Sequence, residues 1–201
     1  MENQMTFQEY KNRYDYEGSV VITAGKRIVP EYDIPKLMGL GKLLASETKH
    51  ILFRSGNAPG ADCWFSEGIA GIDSKRLQAI VPYDSHRKKQ NISYDTISLD
   101  SISLVADGEV IYHSRQNRKT AGLVDRYAAG ERDRYSIKAA YIIRDTLMVT
   151  GAEGIPSASC GIFYDDLENC RQGGTGHTMN VCISKGIQVI DQRVWMEWVM
   201  Q

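Results

Sequence analysis

Four cysteines in 201 residues, none in a Cys-x-x-Cys pair, leave no frame for disulfides or for a structural zinc site. Cys63, Cys160, Cys170 and Cys182 are scattered, which fits reduced and mostly buried thiols, and no metal is expected. Neither sign of charge is in excess. With 24 Lys and Arg against 25 Asp and Glu, the formal net charge is −1, so no global field draws the chain to nucleic acid or an anionic membrane. Nucleic acid is accordingly not expected as a partner. No apolar run approaches the length of a membrane span, and residues 1–16 carry no apolar core of signal-peptide length, so a cytoplasmic protein is expected. Two nucleotide signatures are missing as well. There is no Gly-x-Gly-x-x-Gly with an acidic residue about 20 positions on, and no Walker pattern with its Lys-Ser/Thr pair. An ordinary NAD enzyme or ATPase is thereby not expected, and neither is a cofactor.

What is present is 42% hydrophobic residues, enough for one α/β domain with an ample core. Residues 1–18 read as an N-terminal extension and 19–201 as the domain, with an insertion near 151–172. Val20 to Ala24 is a β-branched strand ending in Gly25, and a helix pattern runs from about Ile34 to Thr48. His50 to Phe53 is a second strand and Leu77 to Val81, stopped by Pro82, a third. Between Asn91 and His113, Ile97, Leu99, Ile102 and Leu104 fit neither period. Residues from about Thr120 to Arg144 read as one helix despite Gly130, followed by a strand at Thr146–Thr150. Gly151 to Gln172 is long and irregular; its Gly161-Ile-Phe-Tyr164 reads as a small hairpin or lid, or as surface decoration. Ile187 to Asp191 is the last strand, with a C-terminal helix around Trp195, Trp198 and Val199. Alternating strands and helices give a Rossmann-like, three-layer domain: a mostly parallel sheet of about five strands, helices on both faces, order 3-2-1-4-5.

Two glycine turns stand out. Arg54-Ser-Gly-Asn-Ala-Pro-Gly-Ala-Asp62 follows a strand and opens a helix; Gly173-Gly-Thr-Gly-His-Thr178 precedes an amphipathic segment, Met179 to Lys185, that ends at Gly186. Glycine lets the backbone approach a ligand closely, and the free N–H groups of a helix start favour an anion. The competing reading is that such glycines simply make tight connections. In the expected strand order these turns converge with Gly25-Lys26-Arg27 over the carboxyl ends of the strands.

These residues resemble the SLOG superfamily, especially its small stand-alone phage and bacterial members. The likeness rests on Thr23-Ala-Gly-Lys-Arg27, the Arg54–Asp62 loop and Gly173–Thr178, and covers roughly residues 19 to 191. It implies a Rossmann-like fold binding nucleotides or nucleotide-derived ligands, with relatives from DNA-processing protein A to the LOG phosphoribohydrolases. The LOG pattern is Gly-Gly-x-Gly-Thr-x-x-Glu with an upstream Glu-Arg on the helix before the preceding strand. Glu131-Arg132 fits that upstream place, so Arg132 is the carried-over candidate; His177 replaces the threonine and Asn180 the carboxylate. An amide is neither acid nor base near neutral pH, so glycosidic cleavage would need another acid, of which Glu153, Asp165 and Asp166 are nearest in sequence.

The ligand residues expected are Gly25, Lys26, Arg27, Arg54, Ser55, Gly56, Asn57, Ala58, Asp62, Arg132, Gly173, Gly174, Thr175, Gly176, His177 and Thr178. Each has a plainer alternative: a helix-dipole partner for Asp62, a cap for His177, a solvated pair for Lys26 and Arg27, a structural ion pair for Arg132. The run His86-Arg87-Lys88-Lys89 reads as a solvated loop or a ligand arm. The functional expectation is binding of an ADP-ribose-like or cyclic nucleotide, by sequestering or sensing a nucleotide immune signal. Nucleotide N-glycosidase chemistry is the alternative. A homo-oligomer is expected, with the stripe from Tyr135 to Ile143 serving either as its surface or as core.

Overall fold

The computed structural model describes residues 5–103 and 108–200, so Leu104 and the first four positions of the N-terminal stretch lie outside the described residues. In chain order the elements are α1 (Phe7–Tyr14), β1 (Val20–Gly25), α2 (Ile34–Glu47), β2 (Leu52–Ser55), α3 (Ala61–Asp73), β3 (Leu77–Val81), β4 (Asp95–Ser98), α4 (Gly108–Ser114), α5 (Ala121–Ala128), α6 (Ser136–Thr150), β5 (Cys160–Tyr164), α7 (Gly173–Ser184), β6 (Gln188–Ile190) and α8 (Gln192–Val199). The strands form one six-stranded sheet in the order β4-β3-β2-β1-β5-β6, and every pairing is parallel. The Rossmann-like expectation holds, with six strands instead of five. The sixth is β4, an edge strand whose exposed Asp95 and Thr96 broke the apolar pattern.

Alternation along the central strand divides the core. Val21 packs with α1, α2, α3 and α8, whereas Ile22 and Ala24 pack with α4 to α7 on the other face. All six residues of β1 are buried, as a central parallel strand requires.

Two sequence readings of the second half need correction. Thr146–Thr150 is not a strand but the last turns of α6, in which Thr146 and Thr150 back-bond their Oγ1 groups to Ile142 O and Thr146 O. Its β-branched composition resembled a strand because both α6 and the sheet are buried there. The strand beside β1 is β5, the segment read as hairpin or lid; its register with β1 runs from Val21↔Cys160 to Gly25↔Tyr164. The expected single helix over Thr120–Arg144 is broken between α5 and α6 at Gly130, whose φ is 97°.

The N-terminal extension packs into the fold. Thr6 and Glu9 form a capping box on α1, Tyr10 and Tyr14 are buried, and the Tyr10 ring lies 5.1 Å from that of Trp198. Of the expected α6 stripe, Ala139 and Ile143 are buried in the molecule's own core, Ile142 is half-buried and Tyr135 is exposed. Among the described residues no helix is long and apolar enough to cross a membrane.

Candidate functional site

At the sheet's switch point, β1 leads to a helix on one face and β5 to a helix on the other, and a crevice opens above their carboxyl ends. Its volume is about 760 Å³. Of the residues expected from sequence, Gly25, Lys26, Arg27, Ala58, Asp62, Gly173, Gly174, Thr175, His177 and Thr178 line it; Arg54, Ser55, Gly56, Asn57, Gly176 and Arg132 do not.

The two glycine turns differ in what they offer an anion. In the β2–α3 turn the loop amides of Gly56, Asn57 and Ala58 are already taken, while among the described residues those of Gly60, Asp62 and Cys63 at the start of α3 have no acceptor. Asp62, buried in the first turn of α3, accepts from Gly25 N at 3.0 Å through Oδ1, and from Gly56 N at 3.1 Å and Ala58 N at 3.4 Å through Oδ2. Burial raises its pKa against the pull of Arg144 and of those amides. This carboxylate is the turn's own anion, so the loop is a brace between β1 and β2 instead of a phosphate cradle.

Arg54 belongs to the same brace. It is fully buried, with Nε on Gln78 Oε1 at 2.7 Å and Nη1 on the carbonyls of Met148 (3.0 Å) and Pro156 (2.9 Å). Burial lowers its pKa to about 10, which still leaves it charged at neutral pH. Ser55 accepts from Asn57 N, and Asn57 takes a left-handed φ of 51°, which asparagine tolerates.

The α7 turn is different. Gln172 supplies no side-chain cap, and among the described residues the N–H groups of Gly173, Gly174 and Thr175 have no acceptor; Gly176 N is the first to be satisfied, by Gln172 O. Gly173 holds a φ of 63°, which requires glycine, whereas a Cβ on Gly174 would stand 3.0 Å from Asp145 Oδ2. Gly176 is buried against Arg171, which leaves it a packing role. The preceding loop is fixed by Asp165, whose Oδ2 accepts from Arg171 N at 2.7 Å. That bond, together with the Gln192 amide on Asp165's backbone, occupies the residue away from the crevice. Asp166 caps the N–H groups of Glu168 and Asn169.

Cations gather where the free amides are. Lys26, Arg27, Lys119 and Lys138 all line the crevice, and among the described residues none of them is ion-paired. Lys26 Nζ stands 5.3 Å from the centre of the Tyr164 ring.

The arginine that sequence reasoning missed is Arg144. The strand before the α7 turn is β5, so the helix preceding that strand is α6, and α6 carries Arg144 into the crevice. Its Nη1 donates to Gly56 O, and its Nε lies 2.9 Å from Asp145 Oδ1. Arg132, chosen when the strand was misplaced, is exposed: its guanidinium stacks 3.7 Å from the Tyr127 ring and donates to Tyr127 O at 2.6 Å. Burial raises the Asp145 pKa to about 6, against the attraction of Arg144. The signal for this pair was a charged dipeptide in an otherwise apolar stretch of α6.

His177 reaches the crevice with its Nε2 already engaged, 2.8 Å from Thr146 Oγ1, which also accepts from Ser114 Oγ at 2.9 Å. Burial lowers its pKa to about 4, so the ring is neutral at physiological pH and is not a cationic phosphate ligand. Asn180, at the position of the LOG carboxylate, is exposed and off the crevice. In the His86–Lys89 run, His86 is buried in an edge-on cluster with Tyr83 and with Tyr141, a crevice residue, so the run is not simply a solvated loop.

No family model and no curated protein matches the sequence. Among solved structures the chain is similar to DNA processing protein A from Helicobacter pylori, a structure described for its mode of binding single-stranded DNA, with a TM-score of 0.50 and 13% identity. The match covers 87% of this chain, which spans 65% of the length of that one. This finding overturns the expectation that set nucleic acid aside. Net charge averages over the whole surface, whereas the unpaired cations here are concentrated on one crevice, and a molecule with no overall basic excess can still present a local positive field. At this level of identity the likeness establishes the fold alone, and that fold is Rossmann-like.

Proposed function

We propose that the chain is a SLOG-type protein that holds a nucleotide-derived small molecule, with its phosphates on the start of α7. The observation that carries this reading is the set of three unclaimed N–H groups, Gly173 to Thr175, in a crevice also lined by Lys26, Arg27, Lys119 and Lys138. Helix starts of this kind favour anions, and charge-assisted hydrogen bonds are the strong ones. A volume of about 760 Å³ suits a ligand of dinucleotide size or smaller. Retention is favoured over turnover by the LOG route. The LOG carboxylate is replaced by an exposed Asn180, Asp62 is saturated by backbone donors, and Asp165 is committed to its loop. In a phage, a protein that keeps a nucleotide immune signal without consuming it would need only depth, charge and stoichiometry.

The structural likeness favours a second reading, single-stranded DNA laid across the same cations. Thermal unfolding separates the two. ADP-ribose, cyclic dinucleotides and nucleoside diphosphates should raise the melting temperature at submillimolar concentration, by mass action on the folded state, without release of free base. A flat response across that panel, with stabilisation by an oligodeoxynucleotide that fades steeply as salt rises, would transfer the crevice to DNA.

A further inference from the structure

Beside the unclaimed N–H groups of α7 stands an unclaimed acceptor. Asp145 lines the crevice with a side chain only 11% exposed, its Oδ1 pairs with Arg144, and among the described residues its Oδ2 receives no hydrogen bond. That Oδ2 is the atom 3.0 Å from the position a Cβ on Gly174 would occupy, so it lies at the turn itself. An ionised carboxylate accepts and cannot donate. A bare phosphate offers it nothing but repulsion, since phosphate oxygens are acceptors too. The site as built therefore fits a ligand that presents an acceptor group to the α7 amides and a hydroxyl donor beside it, which is the chemistry of a sugar phosphate.

The geometry points to Asp145 as the acceptor for a ribose hydroxyl, which makes the crevice selective for ribonucleotide ligands over their deoxy counterparts. This rests on the nucleotide reading and adds to it a sugar specificity that separates the small-molecule ligand from DNA. Discrimination of this kind is strong in principle, because a bound ligand that covers the crevice but lacks the hydroxyl leaves the free carboxylate oxygen without a partner. Burial favours the protonated acid most strongly, Arg144 and Arg27 favour the carboxylate, and Asp62 opposes it, leaving the group ionised at pH 7.5 with a pKa of about 6.

The probes are ADP, 2′-deoxy-ADP, 3′-deoxy-ADP and 2′,3′-dideoxy-ADP, titrated calorimetrically at pH 7.5. ADP should bind the intact protein on the order of tenfold to a hundredfold tighter than dideoxy-ADP, the ratio expected for one charge-assisted hydrogen bond. Asp145→Asn, which keeps the side chain's shape, should narrow that ratio. Equal binding of ADP and dideoxy-ADP by the intact protein overturns the inference while leaving the nucleotide reading in place. So does an Asp145→Asn variant that tightens both ligands equally, since the carboxylate would then only repel phosphate. If none of the four binds while ADP-ribose or a cyclic dinucleotide stabilises the fold, the inference falls alone; if nothing in either panel binds, both readings fall. The comparison within the intact protein does not depend on how the variant folds.

Discussion

The crevice combines groups held in uncomfortable protonation states, and the cost is visible at single residues. His177 and Asp145 face each other's pH range from opposite sides. His177 is held neutral, its pKa lowered from 6.5 to about 4, so the folded state binds a proton less readily than the unfolded chain; its contribution to stability is present above about pH 6.5 and is lost as pH falls toward 4. Asp145 is raised from 3.8 to about 6, so its contribution is full below the unfolded value and is lost as pH rises through about 6. The two partly cancel in the intact protein. His177→Gln, which keeps a polar atom toward Thr146 and cannot be charged, should remove one limb. The stability difference between intact protein and variant, read from urea midpoints, should shrink by on the order of 2–3 kcal/mol between pH 7 and pH 4. A difference independent of pH would mean that His177 is free to ionise in the folded state.

At the level of elements, the two glycine turns look alike in sequence and do different work. In one the loop amides are held by the turn's own carboxylate, in the other no carboxylate takes them. Gly174→Val would put a branched side chain against Asp145 Oδ2 and beside the free amides of α7, so ADP affinity should fall at least tenfold. Lys26→Ala with Arg27→Ala should weaken the same binding by about 1–3 kcal/mol while leaving the ligand-free melting temperature in place, because neither side chain is ion-paired among the described residues. Full affinity in both variants, measured by calorimetry, would remove the ligand from this crevice. β1, β2, β3 and the α7 turn were legible in sequence, because buried parallel strands read as apolar runs and glycine clusters mark helix starts. The brace was not. Nothing in Arg54 or Asp62 as letters distinguishes a group that meets solvent ligands from one that satisfies Met148 O or Gly25 N 94 or 37 positions away. The boundary between α6 and β5 failed for a related reason: buried helix and buried strand share one composition, and placing it wrongly substituted Arg132 for Arg144.

For the molecule as a whole, α1 is a structural member despite preceding the first strand. Phe7, Tyr10 and Tyr14 form an aromatic cluster with Trp198 of α8, and Trp198 Nε1 donates to Met5 O at 2.9 Å. Removing residues 1–16 takes the buried Tyr10 and Tyr14 out of the core beneath α2 and α8, and the urea midpoint should drop by an amount equivalent to several kcal/mol, since each buried aromatic contributes about 1.5–3 kcal/mol. An unchanged midpoint would make α1 an ornament. The pairing of β1 with β5 has a consequence for synthesis. Once the central strand has left the ribosome, its second neighbour, paired at Val21↔Cys160, follows roughly 140 residues later. At about 5–20 residues per second that wait lasts roughly 7–28 s, during which Val20, Val21 and Ile22 present one bare strand edge to whatever else is being made nearby.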